Sequence, residues 1–161
     1  MAAPPADLWK RAKELEFSIG REAWSVYDVD DGATLRARTI LIKLLKLPSE
    51  AGQPPQYIQT NAAIVDIKAP QKMRREPPKA PATPDEMARA PRTEVPLGQG
   101  DEPWNDYYFD DSGPKLIRTK LVVTGVNRIE GLYDNFGNPL YQVTHSTLVS
   151  PPVQRKVNLS R

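Results

Sequence analysis

The stretch WSVYDVDDG, Trp24 to Gly32, returns in altered form as WNDYYFDDSG, Trp104 to Gly113. Both carry Trp-x-x-Tyr-x-x-Asp-Asp and then a glycine. Aromatic and β-branched residues running into turn residues read as a strand that enters a hairpin. The match extends outward on both sides. Downstream, LRARTILIKLLK (Leu35 to Lys46) lies over IRTKLVVTGVNR (Ile117 to Arg128), and PQYIQTNAAIV (Pro55 to Val65) lies over PLYQVTHSTLV (Pro139 to Val149). Upstream, Glu16-Phe17-Ser18-Ile19-Gly20 answers to Glu94-Val95-Pro96-Leu97-Gly98, and Glu22 and Glu102 stand at the same place before their tryptophans.

The offset is 78 at Glu16/Glu94, 80 at Trp24/Trp104, 82 at Arg36/Arg118 and 84 at Tyr57/Tyr141. Each change falls among Gly, Pro, Asp or Asn, where insertions are tolerated, and none falls inside an apolar run. The chain reads as all-β: a tandem duplication of a β-meander or small-barrel unit of about 50 residues, too small to bury a core alone. Two copies fall short of a solenoid. The expected organisation is a short N-terminal helix or arm over 1–15, repeat 1 over 16–68, a Pro-rich connector over 69–93, repeat 2 over 94–152 and a tail over 153–161.

Each unit is expected to hold about four strands by pattern. In the long central strand, Leu35 and Ala37 alternate with Arg36 and Arg38, and Ile117 and Thr119 alternate with Arg118 and Lys120. From Ile40 onward both faces are apolar, as again at Leu121, Val122, Val123 and Val126. A strand apolar on both faces must be covered on both. The simplest cover is the other copy, packed about a pseudo-two-fold axis or sharing its sheet. The competing cover is a second chain.

Seventeen prolines are about twice the usual share, and many stand in APQKMRREPPKAPATPDEMARAPR, Ala69 to Arg92. This reads as an extended tether or a partner-wrapping arm. Within it Thr83-Pro84-Asp85-Glu86 is a helix start with a capping box. At the front, PADLWKRAKELEF reads as a helix capped by Asp7, with Leu8, Ala12 and Leu15 on one face and Trp9 beside it.

Charge is balanced, 22 basic against 20 acidic residues, which argues against a dedicated nucleic-acid binder. The absence of cysteine excludes disulfides and thiolate zinc sites. No apolar run approaches a bilayer span, and the first residues lack a signal peptide's apolar centre. A soluble, cytoplasmic protein is expected.

Candidate chemistry is sparse. The one histidine, His145, is matched by Asn61 and reads as a polar strand residue. Asp30, Asp31, Asp110 and Asp111 could bind a divalent metal, but each pair precedes a turn glycine and could face Arg36 or Arg118 across the hairpin. Asp134 to Asn138 lacks EF-hand spacing and reads as a hairpin turn. Trp24, Tyr27, Trp104, Tyr107 and Tyr108 read as packing residues. With Arg36, Arg38, Arg118 and Lys120, these aromatics, Trp24 and Trp104 foremost, would instead form a stacking platform for single-stranded nucleic acid.

The sequence therefore points to a non-catalytic structural or adaptor subunit without metal or cofactor, with protein partners or further copies of itself. Its contact residues are expected to be Ile40, Ile42, Leu44, Val122 and Val126 on the strand faces and Leu8 and Trp9 on the helix. The alternative is a small β-barrel nucleic-acid or ribonucleoprotein binder.

Overall fold

The structure, a computed structural model, describes residues 5–155. In chain order it holds α1 (Ala6–Lys10), β1 (Lys13–Leu15), β2 (Phe17–Arg21), β3 (Ser25–Val29), β4 (Thr34–Leu47), β5 (Gln56–Lys68), α2 (Pro84–Arg89), β6 (Arg92–Glu94), β7 (Leu97–Asp101), β8 (Asn105–Asp110), β9 (Pro114–Tyr133), β10 (Pro139–Val149) and β11 (Val153–Gln154). The strands form two antiparallel sheets. The first runs through β1, β4, β3 and β7, with β5 on the other side of β4; the second runs through β10, β9, β8 and β2, with β6 and β11 also on β9.

The strands of each half do not all stay in one sheet. Strand β2 leaves the first half to pair with β8, and β7 leaves the second half to pair with β3. The exchange is reciprocal in register. Phe17 pairs with Phe109 while Leu97 pairs with Val29, and Arg21 pairs with Asp106 while Asp101 pairs with Val26. Likewise Lys13 pairs with Lys46 and Thr93 with Arg128. By pairing, Phe17 therefore matches Leu97 and Arg21 matches Asp101, an offset of 80. The offset of 78 drawn from Glu16/Glu94 is two residues off. Short strands with few apolar positions slide in a sequence comparison, whereas backbone pairing fixes them.

The doubly apolar stretch has a local cause. Strand β4 shifts register between Leu41 and Lys43, opposite Asn61 and Thr60. Strand β9 shifts at the matching place, with Gly125 opposite Thr144 and Val123 opposite His145. The extra residue of a β-bulge turns the following side chains to the other face. Burial follows: Leu35, Ala37, Thr39 and Leu41 point inward before the bulge, then Leu44 and Leu47 after it. In β9 the inward set is Ile117, Thr119, Leu121 and Val123, then Val126 and Ile129.

The core has two clusters, and each draws on both halves. One joins Tyr27, Val29 and Leu35 to Leu121, Val123 and Val126; the other joins Tyr107, Phe109 and Ile117 to Leu15, Leu41 and Leu44. The bulged part of each long strand is thus covered by the hairpin of the opposite half.

The N-terminal helix is shorter than the sequence implied. It spans Ala6–Lys10 behind Pro5, with Asp7 in its first turn rather than at its cap. Residues 13–15 form a strand on β4, because Leu15 is held in the second cluster. Residues 1–4 of the expected arm and 156–161 of the tail lie outside the described residues. In the connector, Thr83 accepts the Glu86 backbone N–H at 3.2 Å, and α2 ends before Pro91. The connector is docked at its start: Arg75 N–H donates to the Gly137 carbonyl, and Arg74 Nε to Asn138 Oδ1.

Candidate functional site

Three regions bring the candidate residues together. The first is the outer face of each sheet. Trp24 lies beneath two guanidinium groups, with Arg36 at 4.5 Å and Arg38 at 4.9 Å from its ring centre. Trp104 carries Lys120 at 4.9 Å. Arg36 also bonds Asp66, and Arg118 bonds Asp106. The chain's own cations therefore occupy the indole faces, and its own carboxylates engage two of the four cations. Tyr27 and Tyr107 point inward and are buried, whereas Tyr108 lies beneath Arg155.

The second region lies between the sheets. Asp31 accepts the Tyr141 hydroxyl at 2.7 Å and Arg128 at 3.4 Å. Asp111 accepts the Tyr57 hydroxyl and Lys46 Nζ at 2.7 Å. These are matching trios, each tying the hairpin turn of one half to the β-hairpin of the other. Hydrogen bonds from Lys46 and Tyr57 hold the Asp111 carboxyl below its ordinary range. Burial, followed by the adjoining carboxylate, raises the phenols of Tyr57 and Tyr141. The expected partners of the aspartate pairs are thus corrected: Arg36 and Arg118 bond other acids, and Asp31 and Asp111 reach across to the opposite half. Asp30 is exposed, and Asp110 accepts the Gly113 N–H within its own turn. Among the described residues no group of three His, Cys, Asp or Glu side chains is placed to hold a metal.

Two more tyrosines act on the bulges. Leu41 N–H donates to the Tyr107 hydroxyl at 3.2 Å, and Val123 N–H donates to the Tyr27 hydroxyl at 3.1 Å. Tyr107 in turn donates to Glu22 at 2.8 Å. Burial pushes the Tyr107 phenol up to about 12. Asp134 Oδ1 accepts the Phe136 and Asn138 backbone N–H groups, so the Asp134 to Asn138 segment is a closed turn.

The third region is the pair of sheet margins. Among the described residues, strand β5, 13 residues long, pairs with β4 alone, and β10, 11 residues long, pairs with β9 alone. Neither Gln56 to Val65 nor Pro139 to Val149 contains Asp, Glu, Lys or Arg. Ile64, Val65, Leu148 and Val149 are exposed on them. The other margins differ. Strands β2 and β7 have five residues each, carry Gly20, Gly98 and Gly100, and end in Arg21 and Asp101. Short, charged or irregular edges are how native sheets avoid unwanted pairing; β10 carries no Asp, Glu, Lys or Arg, and β5 carries charge at its C-terminal end alone, in Asp66 and Lys68.

Of the expected contact residues, Leu44 and Val126 are buried inside the chain and cannot meet a partner. Ile40 and Val122 are half-buried on the outer faces, and Ile42 is the exposed residue of the bulge. Leu8 is half-buried and Trp9 is exposed. His145 is exposed on β10. The margins were missed in the sequence, although their signal was present in two strand patterns with charge-free runs, Gln56 to Val65 and Pro139 to Val149. The Asp–Tyr–cation trios also left a trace, because all three members recur at their offsets. No protein-family model, curated protein or solved structure matches this chain.

Proposed function

We propose that this protein is a non-catalytic structural or adaptor subunit that binds protein partners by strand addition at the margins of its two sheets. The observation that carries this reading is the contrast between the margins. Those of β5 and β10 are long, free of charge over Gln56 to Val65 and Pro139 to Val149, and unpaired among the described residues, and exposed aliphatic residues stand on them. An extended partner segment can take up the free backbone groups of such an edge while alternate side chains meet exposed residues. The reciprocal pairing of the halves supports a duplicated unit as its origin, which would present two similar edges on one molecule.

The nucleic-acid alternative draws less support. Its tryptophans are covered by Arg36, Arg38 and Lys120, and Arg36 and Arg118 are engaged by acids. A base seeking to stack would have to displace these contacts. The adaptor reading is tested by capture from native extract with mass spectrometry, using the wild type, an Ile64→Lys/Leu148→Lys variant and a Trp24→Ala/Trp104→Ala variant. Proteins retained by the wild type and tryptophan variant but lost from the edge variant support it. Retention that survives the lysines but fails without the indoles, and falls with salt, would overturn it.

A further inference from the structure

The start of the connector is held against the tip of the β9–β10 hairpin. It passes through a short 3-10 turn, Gln71–Met73, and Arg75 N–H then donates to the Gly137 carbonyl at 2.9 Å. Gly137 has φ +81°, and a Cβ there would overlap the Arg75 carbonyl. The hairpin therefore lacks a side chain where the connector docks. Between the two lies a cleft of about 340 Å³, bordered by Lys72, Arg75, Arg128 and Glu130, with Leu132 and Tyr133 as apolar wall.

The cations of this cleft differ in what they meet. Arg128 is engaged twice, by Asp31 at 3.4 Å and by Glu130 at 3.0 Å. Lys72 and Arg75 are exposed, and among the described residues no carboxylate forms an ion pair with either. Arg75 Nη1 donates to the carbonyls of Lys72 at 3.3 Å and Arg74 at 3.1 Å. This holds the guanidinium on its own turn and leaves Nε and Nη2, the side-on fork, without a partner among the described residues. Three cations meet two acids, so one positive charge in the cleft is unanswered. The matching hairpin end of the first half, Pro48 to Gln56, carries no cation, and its one charged residue is Glu50. The positive charge comes with the docked connector and is not a property of the repeated unit.

We infer that this cleft binds a monocarboxylate carried on a small apolar body. The open fork of Arg75 takes two carboxylate oxygens at once, and Lys72 adds a point charge beside it. Leu132 and Tyr133 receive the hydrocarbon part. One negative charge balances the cleft, whereas a phosphate dianion would leave an excess beside Glu130 and Asp31. The volume lies at the small end of ligand clefts, which suits a short acid. Such a group occurs on a free aliphatic acid and at the C-terminus of a peptide that ends in an apolar residue. The inference does not rest on strand addition. Neither Ile64 nor Leu148 borders the cleft, so the two readings fail separately.

The test is an NMR titration of the full, ¹⁵N-labelled chain with sodium isovalerate and, separately, with N-acetylated glycyl-glycyl-leucine bearing a free C-terminus. Saturable shifts of the Arg75, Leu132 and Tyr133 signals are expected in at least one arm. The arm that binds more tightly names the source: isovalerate a free acid, the peptide a chain end. Isovaleramide and the peptide's C-terminal amide lack the charge and should bind about tenfold more weakly or worse. Inorganic phosphate in its dianionic form should also bind more weakly than the carboxylate. Lys72→Gln/Arg75→Gln should lose the response while its spectrum elsewhere matches the wild type, because both side chains are exposed. The proposal is overturned if neither arm shifts the cleft, if the amides bind equally well, if phosphate binds more tightly, or if the double variant keeps binding.

Discussion

Replacing Tyr107 by Phe removes one oxygen from a side chain that is 0% exposed. That oxygen accepts the Leu41 N–H at 3.2 Å and donates to Glu22 at 2.8 Å. The ring keeps its place against Phe17, so the change isolates the hydroxyl. Leu41 stands where β4 shifts register, and its N–H points into the core rather than toward water. An orphaned buried N–H costs about 1–3 kcal/mol, and a hydrogen bond to a charged acceptor contributes about 1.5–3 kcal/mol. Glu22 is half-buried, so water recovers part of the second amount. A loss of about 2–4 kcal/mol is expected from these two ranges together. For a chain of this length that lowers Tm by about 5–15 °C. In urea it should move the midpoint by about 1–2 M if m is near 2 kcal/mol/M. Tyr27→Phe strips the matching Val123 N–H in the other cluster and should have a loss of the same order. Tyr107 and Tyr27 have different bonding partners, so the double variant should lose nearly the sum. A change below about 0.5 kcal/mol in Tyr107→Phe, within the range of ordinary surface substitutions, would refute the idea that the phenol supports the bulge.

The same phenols set an alkaline limit. Burial raises Tyr27, Tyr57, Tyr107 and Tyr141, with Tyr107 reaching about 12. Unfolded phenols lose their protons near pH 10, so above that the unfolded chain binds fewer protons and stability falls until the folded phenols ionise. Calorimetry should find a steady Tm up to about pH 9.5 and a steep decline beyond it; a flat Tm through pH 11 would contradict this. At the acid end, the lowered Asp111 contributes stability above its unfolded pKa that is lost as pH falls through its folded one. Asp111→Asn should therefore flatten the acid limb of the same profile. A Cβ on Gly100 would run into the ring of Tyr27, which is 4% exposed and has little room to move. Gly100→Ala should cost about 1–3 kcal/mol by overpacking. Gly20→Ala meets the half-buried ring of Tyr108 and should cost less; denaturant titration that ranks them the other way would contradict this packing.

Local chemistry made much of the fold legible. Alternation marked the first part of each long strand, and Gly, Pro, Asp and Asn marked the turns, because both signals act within a few residues. Thr83 and Pro84 announced α2 for the same reason: a cap is made by the residue three positions away. The front of the chain shows the limit of such reading. Ala12 and Leu15 fit a helical stripe, yet Leu15 lies in a strand because its buried place is on β4.

By itself the sequence determined the all-β character, the matched long strands and the turns between them. Tertiary structure alone decided that β2 and β7 change sheets, that Ile42 takes the extra place in a bulge, and that Asp31 and Asp111 meet Tyr141 and Tyr57 from the opposite half. Strand patterns state which side chains share a face, but not which distant backbone completes the ladder. That choice is made collectively, by which pairing buries Tyr27 and Tyr107 while giving the bulged N–H groups of Val123 and Leu41 an acceptor.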